Sequence, residues 1–200
     1  MRAPTAEPIQ SAMEPQPLRF VTSSEDKVRE ASLVLPFPVQ RISVELHELQ
    51  TTNIEAIVRS KAEQAWRKVQ APVIVEDTGL RFLAWRQLPG PLIKYFVENL
   101  GLLGIVDALS PSKDWRAEAI TGVGYCDGGE VQYFEGRVMG LIVLPVGREA
   151  FGWDAIFRPE GSGRTYAEMS REEKTAHSMR TLALRKLAAF LAEQPNKVRP

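Results

Sequence analysis

The chain has 200 residues, enough for one domain with a substantial core. Apolar residues make up 44% of it, and 25 Lys and Arg balance 25 Asp and Glu. That composition excludes a disordered chain, and the neutral balance argues against general binding to nucleic acid or to an anionic membrane. The single cysteine, Cys126, cannot build a disulfide framework and fits a reducing compartment, the cytoplasm. His47 and His177 lie far apart, which argues against a His/Cys zinc site. No apolar run is long enough to span a bilayer.

In chain order, residues 1 to about 17 hold four prolines and two acids without a hydrophobic block. They read as a Pro-rich disordered tail before a domain over 18–195, and resemble neither a secretory signal nor a good transit peptide. "LRFVTSS" predicts a strand ending at Thr22-Ser23-Ser24, and "EDKVREASLVL" a helix that stops before Pro36. "VQRISVEL" alternates apolar and polar residues and predicts a second strand. "NIEAIVRSKAEQAWRKV" predicts a helix capped by Asn53, with an apolar stripe of Ile54, Ile57, Val58, Ala62, Ala65, Trp66 and Val69. "APVIVED" predicts a third strand that ends at Glu76 and Asp77. A helix entered at Pro91 follows the Pro-Gly-Pro turn. "WRAEAITGVGYC" and "EVQYFEGRVMGLIV" predict antiparallel strands around Asp127-Gly128-Gly129. One long helix over "SREEKTAHSMRTLALRKLAAFLAEQ", with Ser170 and Glu173 at capping-box spacing, closes the chain. The order implies an α/β protein with a mixed twisted sheet.

Several residues bear chemistry. Glu76 and Asp77 at a strand end are either simply solvated or hold a cation such as Mg²⁺, which takes one or two carboxylates beside phosphate oxygens. Lys61 falls inside the apolar stripe of its helix, where a lysine either snorkels outward or points at a phosphate. Thr22 to Lys27 put small hydroxyl residues at a helix start, whose free N–H groups suit phosphate or an ordinary cap; the glycines of a P-loop are absent. In "FGWDAIF", Phe151 and Trp153 are candidates to stack on a base or to fill the core.

"FGWDAIFRPEGSGRTYAEMSREEK", "VEDTGL", "LPGPLIKYF" and "FVTSSEDK" in this order resemble the inosine triphosphate pyrophosphatase family, over roughly residues 19–193. The resemblance implies an elongated α/β fold with a cleft between two lobes, and a homodimer. It implies Mg²⁺-dependent hydrolysis of non-standard purine nucleoside triphosphates such as ITP, dITP and XTP to the monophosphate and pyrophosphate. A nucleotide-binding protein of the same fold, with shifted base preference or little catalysis, is the alternative. By matching motif, Asp77 would bind the metal and act as general base, with Glu48 and Glu76 as the other candidate metal acids. Thr22, Ser23, Ser24, Lys27, Lys61 and Lys174 would hold the triphosphate, and Thr78 and Gly79 would line the same site. Lys94 would sit in the cleft; Phe151, Gly152, Trp153 and Asp154 would form the base and sugar pocket; Ser178 and Arg180 would address the base. Two positions depart from the family pattern: Ser24 stands where Asn is usual, and Met179 stands where His is usual.

Overall fold

The computed structural model describes residues 17–146 and 152–194. The expected tail, apart from Pro17, and Phe151 lie outside the described residues. Strand β1 (Leu18–Val21) leads through the Thr22–Ser24 turn into α1 (Glu25–Val34). Ser24 caps that helix, its hydroxyl accepting from the Lys27 N–H. Next comes β2 (Val39–Ile42), shorter than the alternation of residues 39–46 predicts. Val44 and Leu46 keep the inward alternation, but among the described residues only 39–42 pair with a neighbouring strand, β1. The predicted second helix is α2 (Ile54–Val69), with the Asn53 side chain capping the Ala56 N–H.

Strand β3 (Val73–Phe82) corrects the sequence reading. It does not end at Glu76 and Asp77 but runs through them, and each of its ten residues pairs antiparallel with β5 (Arg116–Cys126). Two acids survive inside a strand because successive side chains point to opposite faces. Each face supplies its own cation: Arg180 meets Glu76, and Lys61 meets Asp77. The two-residue β4 (Pro89–Gly90) pairs with β3, and α3 (Ile93–Leu109) follows, interrupted at Gly101 by a left-handed φ of 67°. The predicted hairpin is present: β5 and β6 (Gln132–Ile142) pair antiparallel around residues 127–129, and β7 (Phe157–Pro159) adds to the far edge. The result is a mixed seven-stranded sheet in the order β2-β1-β3-β5-β6-β7, with β4 on β3. Among the described residues the parallel pairs are those of β1 with β2 and with β3.

The predicted closing helix is two helices, α4 (Arg171–His177) and α5 (Met179–Ala192). Ser178 takes an extended conformation between them, and its hydroxyl caps the Arg180 N–H. The Tyr166 hydroxyl donates to the His177 carbonyl at 2.7 Å, satisfying a helix-end acceptor that the break exposes. Continuous apolar periodicity concealed this because the partner comes from outside the helix.

Three apolar clusters organise the molecule. One, with Phe20, Ile74, Tyr125 and Leu184, lies between the sheet and α1 and α5; another, with Val58, Ala62, Val75 and Ile120, lies under α2 on the opposite face. The third, with Leu80, Phe82, Ile105, Phe157 and Tyr166, fills the other end of the sheet beneath α3. A cleft opens between the ends. Among the described residues, no helix is long and apolar enough to cross a membrane.

Gly136 fixes how closely α5 lies on β6, since a Cβ there would stand 1.9 Å from the Met179 carbonyl oxygen. Gly136→Ala should therefore force α5 away and cost about 1–3 kcal/mol. Thermal unfolding checks it, with a drop of several degrees in Tm expected.

Candidate active site

The cleft encloses about 780 Å³ and is walled by the turn after β1, residues 43–50, the middle of β3, the start of α3, Gly152–Asp154 and the first turn of α5. That volume accommodates a nucleotide-sized ligand. Most of its charged side chains fall into two groups, one around Asp77 and one around Glu76, and Lys27 acts on both.

The first group lies on the α2 face. The ammonium of Lys61 bonds a carboxylate oxygen of Glu48 and, at 3.2 Å, Oδ1 of Asp77. Lys61 and Asp77 are 15% and 14% exposed, so this pair is screened weakly and still opens to the cleft. Burial raises the Asp77 pKa above the ordinary carboxylate value; Lys61 and Lys27 offset this only in part. Burial works the other way on Lys61, but Asp77 and Glu48 outweigh it and keep the ammonium charged. Glu48, which is more exposed, is pushed up by burial and then held below its usual pKa by the Lys61 hydrogen bond and by the charges of Lys61, Lys94 and Lys27. Two carboxylates thus converge on one cation.

The second group lies on the α1/α5 face. Glu76 has no side-chain exposure; it accepts from Arg180 Nε at 2.7 Å and from a second Arg180 nitrogen at 3.0 Å. Thr78 Oγ1 donates to it at 2.9 Å, and Lys27 lies 3.3 Å away. Burial favours the neutral acid, but Arg180 and Lys27 outweigh it and hold the Glu76 carboxyl at about 2. Arg180 also bonds Glu30 of α1, Glu30 lies 3.4 Å from Lys174, and Lys174 pairs with Asp154 at 2.6 Å. Burial raises the Asp154 pKa despite Lys174. Signs alternate along the whole chain of charges, from Lys27 to Asp154.

Most residues expected at the site line this cleft: Thr22, Ser23, Ser24, Lys27, Glu48, Lys61, Glu76, Asp77, Thr78, Lys94, Gly152, Trp153, Asp154, Lys174 and Arg180. Several readings change. Both oxygens of Glu76 are already taken by Arg180, Thr78 and Lys27, so this carboxylate serves an ion pair and is withdrawn as a metal acid. Arg180 is 4% exposed and commits three of its five N–H donors to Glu76 and Glu30. Gly79 does not line the cleft; a Cβ there would stand 2.8 Å from the Gly90 and Pro91 backbone, so the glycine admits β4. Ser178 does not line it either and acts as the α5 cap. Trp153 is 8% exposed, stacked edge-on with Phe157 at 5.5 Å, and offers the cleft only its margin. Met179, which stands where the family usually has His, is buried beside Tyr166, whose hydroxyl lies 3.8 Å from its sulfur. Glu30 was not foreseen. It stands one turn after Lys27 on α1, and that spacing is the signal that would have found it.

Because Glu76 is buried, Arg180→Met should leave its carboxylate with only Lys27 and Thr78 to offset desolvation and cost about 3–5 kcal/mol, read by denaturant unfolding at neutral pH. The folded Glu76 pKa, about 2, lies below its ordinary 4.5. Its contribution is therefore full above about 4.5 and lost as pH falls toward about 2. The parent should lose stability across that interval, and Glu76→Gln should lose less.

Comparison with known proteins places the chain in a family. The family model described as the Ham1 family matches residues 18–190. A protein of Scheffersomyces stipitis named inosine triphosphate pyrophosphatase is 42% identical, covering 88% of this chain and 97% of its own. One of Giardia intestinalis with the same name is 42% identical, covering 93% and 98%. Among solved structures, the Staphylococcus aureus Ham1 protein shares the fold with a TM-score of 0.78 at 23% identity, covering 90% of this chain and all of its own. A Mycobacterium abscessus nucleoside-triphosphatase, titled a dITP/XTP pyrophosphatase, has a TM-score of 0.68 at 29% identity, covering 88% and 99%. The chain belongs to the Ham1 family.

Proposed function

We propose that the protein hydrolyses non-standard purine nucleoside triphosphates, ITP, dITP and XTP, to the monophosphate and pyrophosphate with Mg²⁺. The observation that carries this reading is the convergence of Glu48 and Asp77 on Lys61 at the wall of a nucleotide-sized cleft. The names of the relatives, inosine triphosphate pyrophosphatase, support the substrate class.

The donor set fits Mg²⁺. Among the described residues no group of three His, Cys, Asp or Glu side chains converges to cage a metal. Mg²⁺ bound with a phosphate substrate needs only one or two carboxylates, and Glu48 and Asp77 are such a pair. Bound there, it would offset phosphate charge and polarise the attacked phosphorus. The barrier to water attacking a polyanion is largely electrostatic, so the remaining work falls to fixed charges. Lys61 and Lys27 lie on the cleft wall to hold phosphate oxygens and neutralise the departing pyrophosphate. Asp77, whose pKa burial raises, is a better proton acceptor than an ordinary aspartate and takes the proton from the attacking water. No covalent nucleophile is required. The reading includes a homodimer and a cytoplasmic location, the latter supported by the lone Cys126.

At the base end, the two N–H donors of Arg180 that Glu76 and Glu30 leave unused can only donate, which favours the 6-carbonyl of hypoxanthine and xanthine over adenine's amino group. Met179 is buried against Tyr166 and adds no hydrogen bond to a base.

A pyrophosphate-release assay with Mg²⁺ and a nucleotide panel tests the function. ITP and XTP should turn over about tenfold faster than ATP, the scale set by one mismatched buried polar group. Equal turnover of ATP and ITP would sink the base assignment, and no pyrophosphate from any nucleotide would sink the function. In a second test, Lys61→Met removes the charge that offsets Asp77's burial. The Asp77 pKa should rise further, and the acid limb of the pH–rate profile should move to higher pH. An unmoved limb would show that Asp77 is not the base.

A further inference from the structure

Glu48 reaches the cleft on a segment that has no strand partner. Residues 43–50 follow β2 without pairing to a strand among the described residues, and Glu48 itself is 45% exposed on its side chain. Such a carboxylate would wander unless its backbone were held elsewhere. The hold comes from α2. Lys61, Gln64 and Lys68 lie at i, i+3 and i+7, one stripe of that helix, and meet residues 48, 47 and 45 in reverse order. Lys61 takes the Glu48 carboxylate, and Lys68 donates to the Glu45 carbonyl at 2.7 Å.

Between them, Gln64 makes a bond of a different kind. Its Oε1 accepts from the His47 N–H at 2.8 Å, and its Nε2 donates to the His47 carbonyl at 3.0 Å. One side chain thereby satisfies both backbone groups of one residue, as a neighbouring strand would. A carboxamide suits this because it presents a donor and an acceptor side by side. Gln64 Nε2 lies also 3.1 Å from Ser60 Oγ, which fixes the amide against its own helix. The residue clamped is the one immediately before Glu48.

We propose that Gln64 is a positioning residue that sets Glu48 for the metal, replacing the missing strand partner of the 43–50 segment. The proposal rests on the reading of Glu48 and Asp77 as the Mg²⁺ carboxylates. Gln64 touches neither substrate nor metal; it acts through the His47 backbone. Groups that orient metal ligands from behind typically change metal affinity by about 10–100-fold when removed.

Four proteins test it: the parent, Gln64→Met, Gln64→Glu and Glu48→Gln. Met keeps the length and packing of Gln without its hydrogen bonds. Glu keeps the acceptor for the His47 N–H and loses the donor to the carbonyl. The readouts are the Mg²⁺ concentration for half-maximal pyrophosphate release from ITP, and hydrogen–deuterium exchange of residues 43–50 without nucleotide. Gln64→Met should raise the half-saturating Mg²⁺ about tenfold, with kcat at saturating Mg²⁺ within a few-fold of the parent and faster exchange in the segment. Gln64→Glu should fall between. Should Glu48→Gln raise the Mg²⁺ requirement while Gln64→Met leaves it at the parent value, the positioning role is overturned and the metal reading stands. Should neither variant move the Mg²⁺ requirement, the metal reading of Glu48 fails and takes the proposal with it. A lower Tm in Gln64→Met with unchanged Mg²⁺ dependence makes Gln64 a structural staple, which also overturns the proposal.

Discussion

Glu76, a carboxylate with no solvent exposure, meets the nearly buried guanidinium of Arg180 at 2.7 and 3.0 Å, and the positions of the surrounding elements follow from that contact. Desolvating both ions costs several kcal/mol each, and only close geometry and further hydrogen bonds offset that cost. Thr78 and Lys27 supply them on the Glu76 side, and Glu30 on the Arg180 side. The pair ties β3 to the first turn of α5, and Glu30 and Lys27 bring α1 to the same point. Arg180 can start a helix there because Ser178 breaks the chain and caps it, and because Gly136 lets that helix lie against β6. Removing the arginine would leave a charge inside the protein, so the constraint is strict even though a pair of this kind adds little net stability.

The same contact divides the labour of two adjacent acids. Glu76 and Asp77 point to opposite faces of one strand. Glu76 is locked by Arg180 and held at about 2, a charge that cannot accept a proton near neutral pH. Asp77 faces Lys61 and the cleft, with its pKa raised by burial, so it is more basic than its neighbour. A carboxylate committed to an ion pair and one proposed to react therefore sit side by side, distinguished by environment alone.

How much of this the sequence disclosed depends on the range of each interaction. Helix α2 was legible in full, cap included, because the Asn53 signal and the apolar stripe are local. Lys61 stood out for the same reason: a charge inside that stripe demanded a partner, and the structure supplies two. The hairpin at 127–129 was legible from its turn residues. The end of β3 was misread because the cations that keep Glu76 and Asp77 in the strand come from 104 residues later and from a helix on the other face. The break at Ser178 was hidden because Tyr166 stabilises it through tertiary contact. Gln64 gave no sequence signal; a glutamine on a helix surface is ordinary until a backbone segment lies across it.

The claim that Asp77 is the reactive carboxylate is tested most directly by Asp77→Asn, measuring pyrophosphate release from ITP at saturating Mg²⁺ and the melting temperature on the same preparation. The substitution removes a buried charge whose raised pKa marks it as costly to the fold, and Lys61 retains Glu48 as a partner. The account predicts that hydrolysis falls by about 100-fold or more while Tm stays level or rises. Turnover within a few-fold of the parent would contradict it.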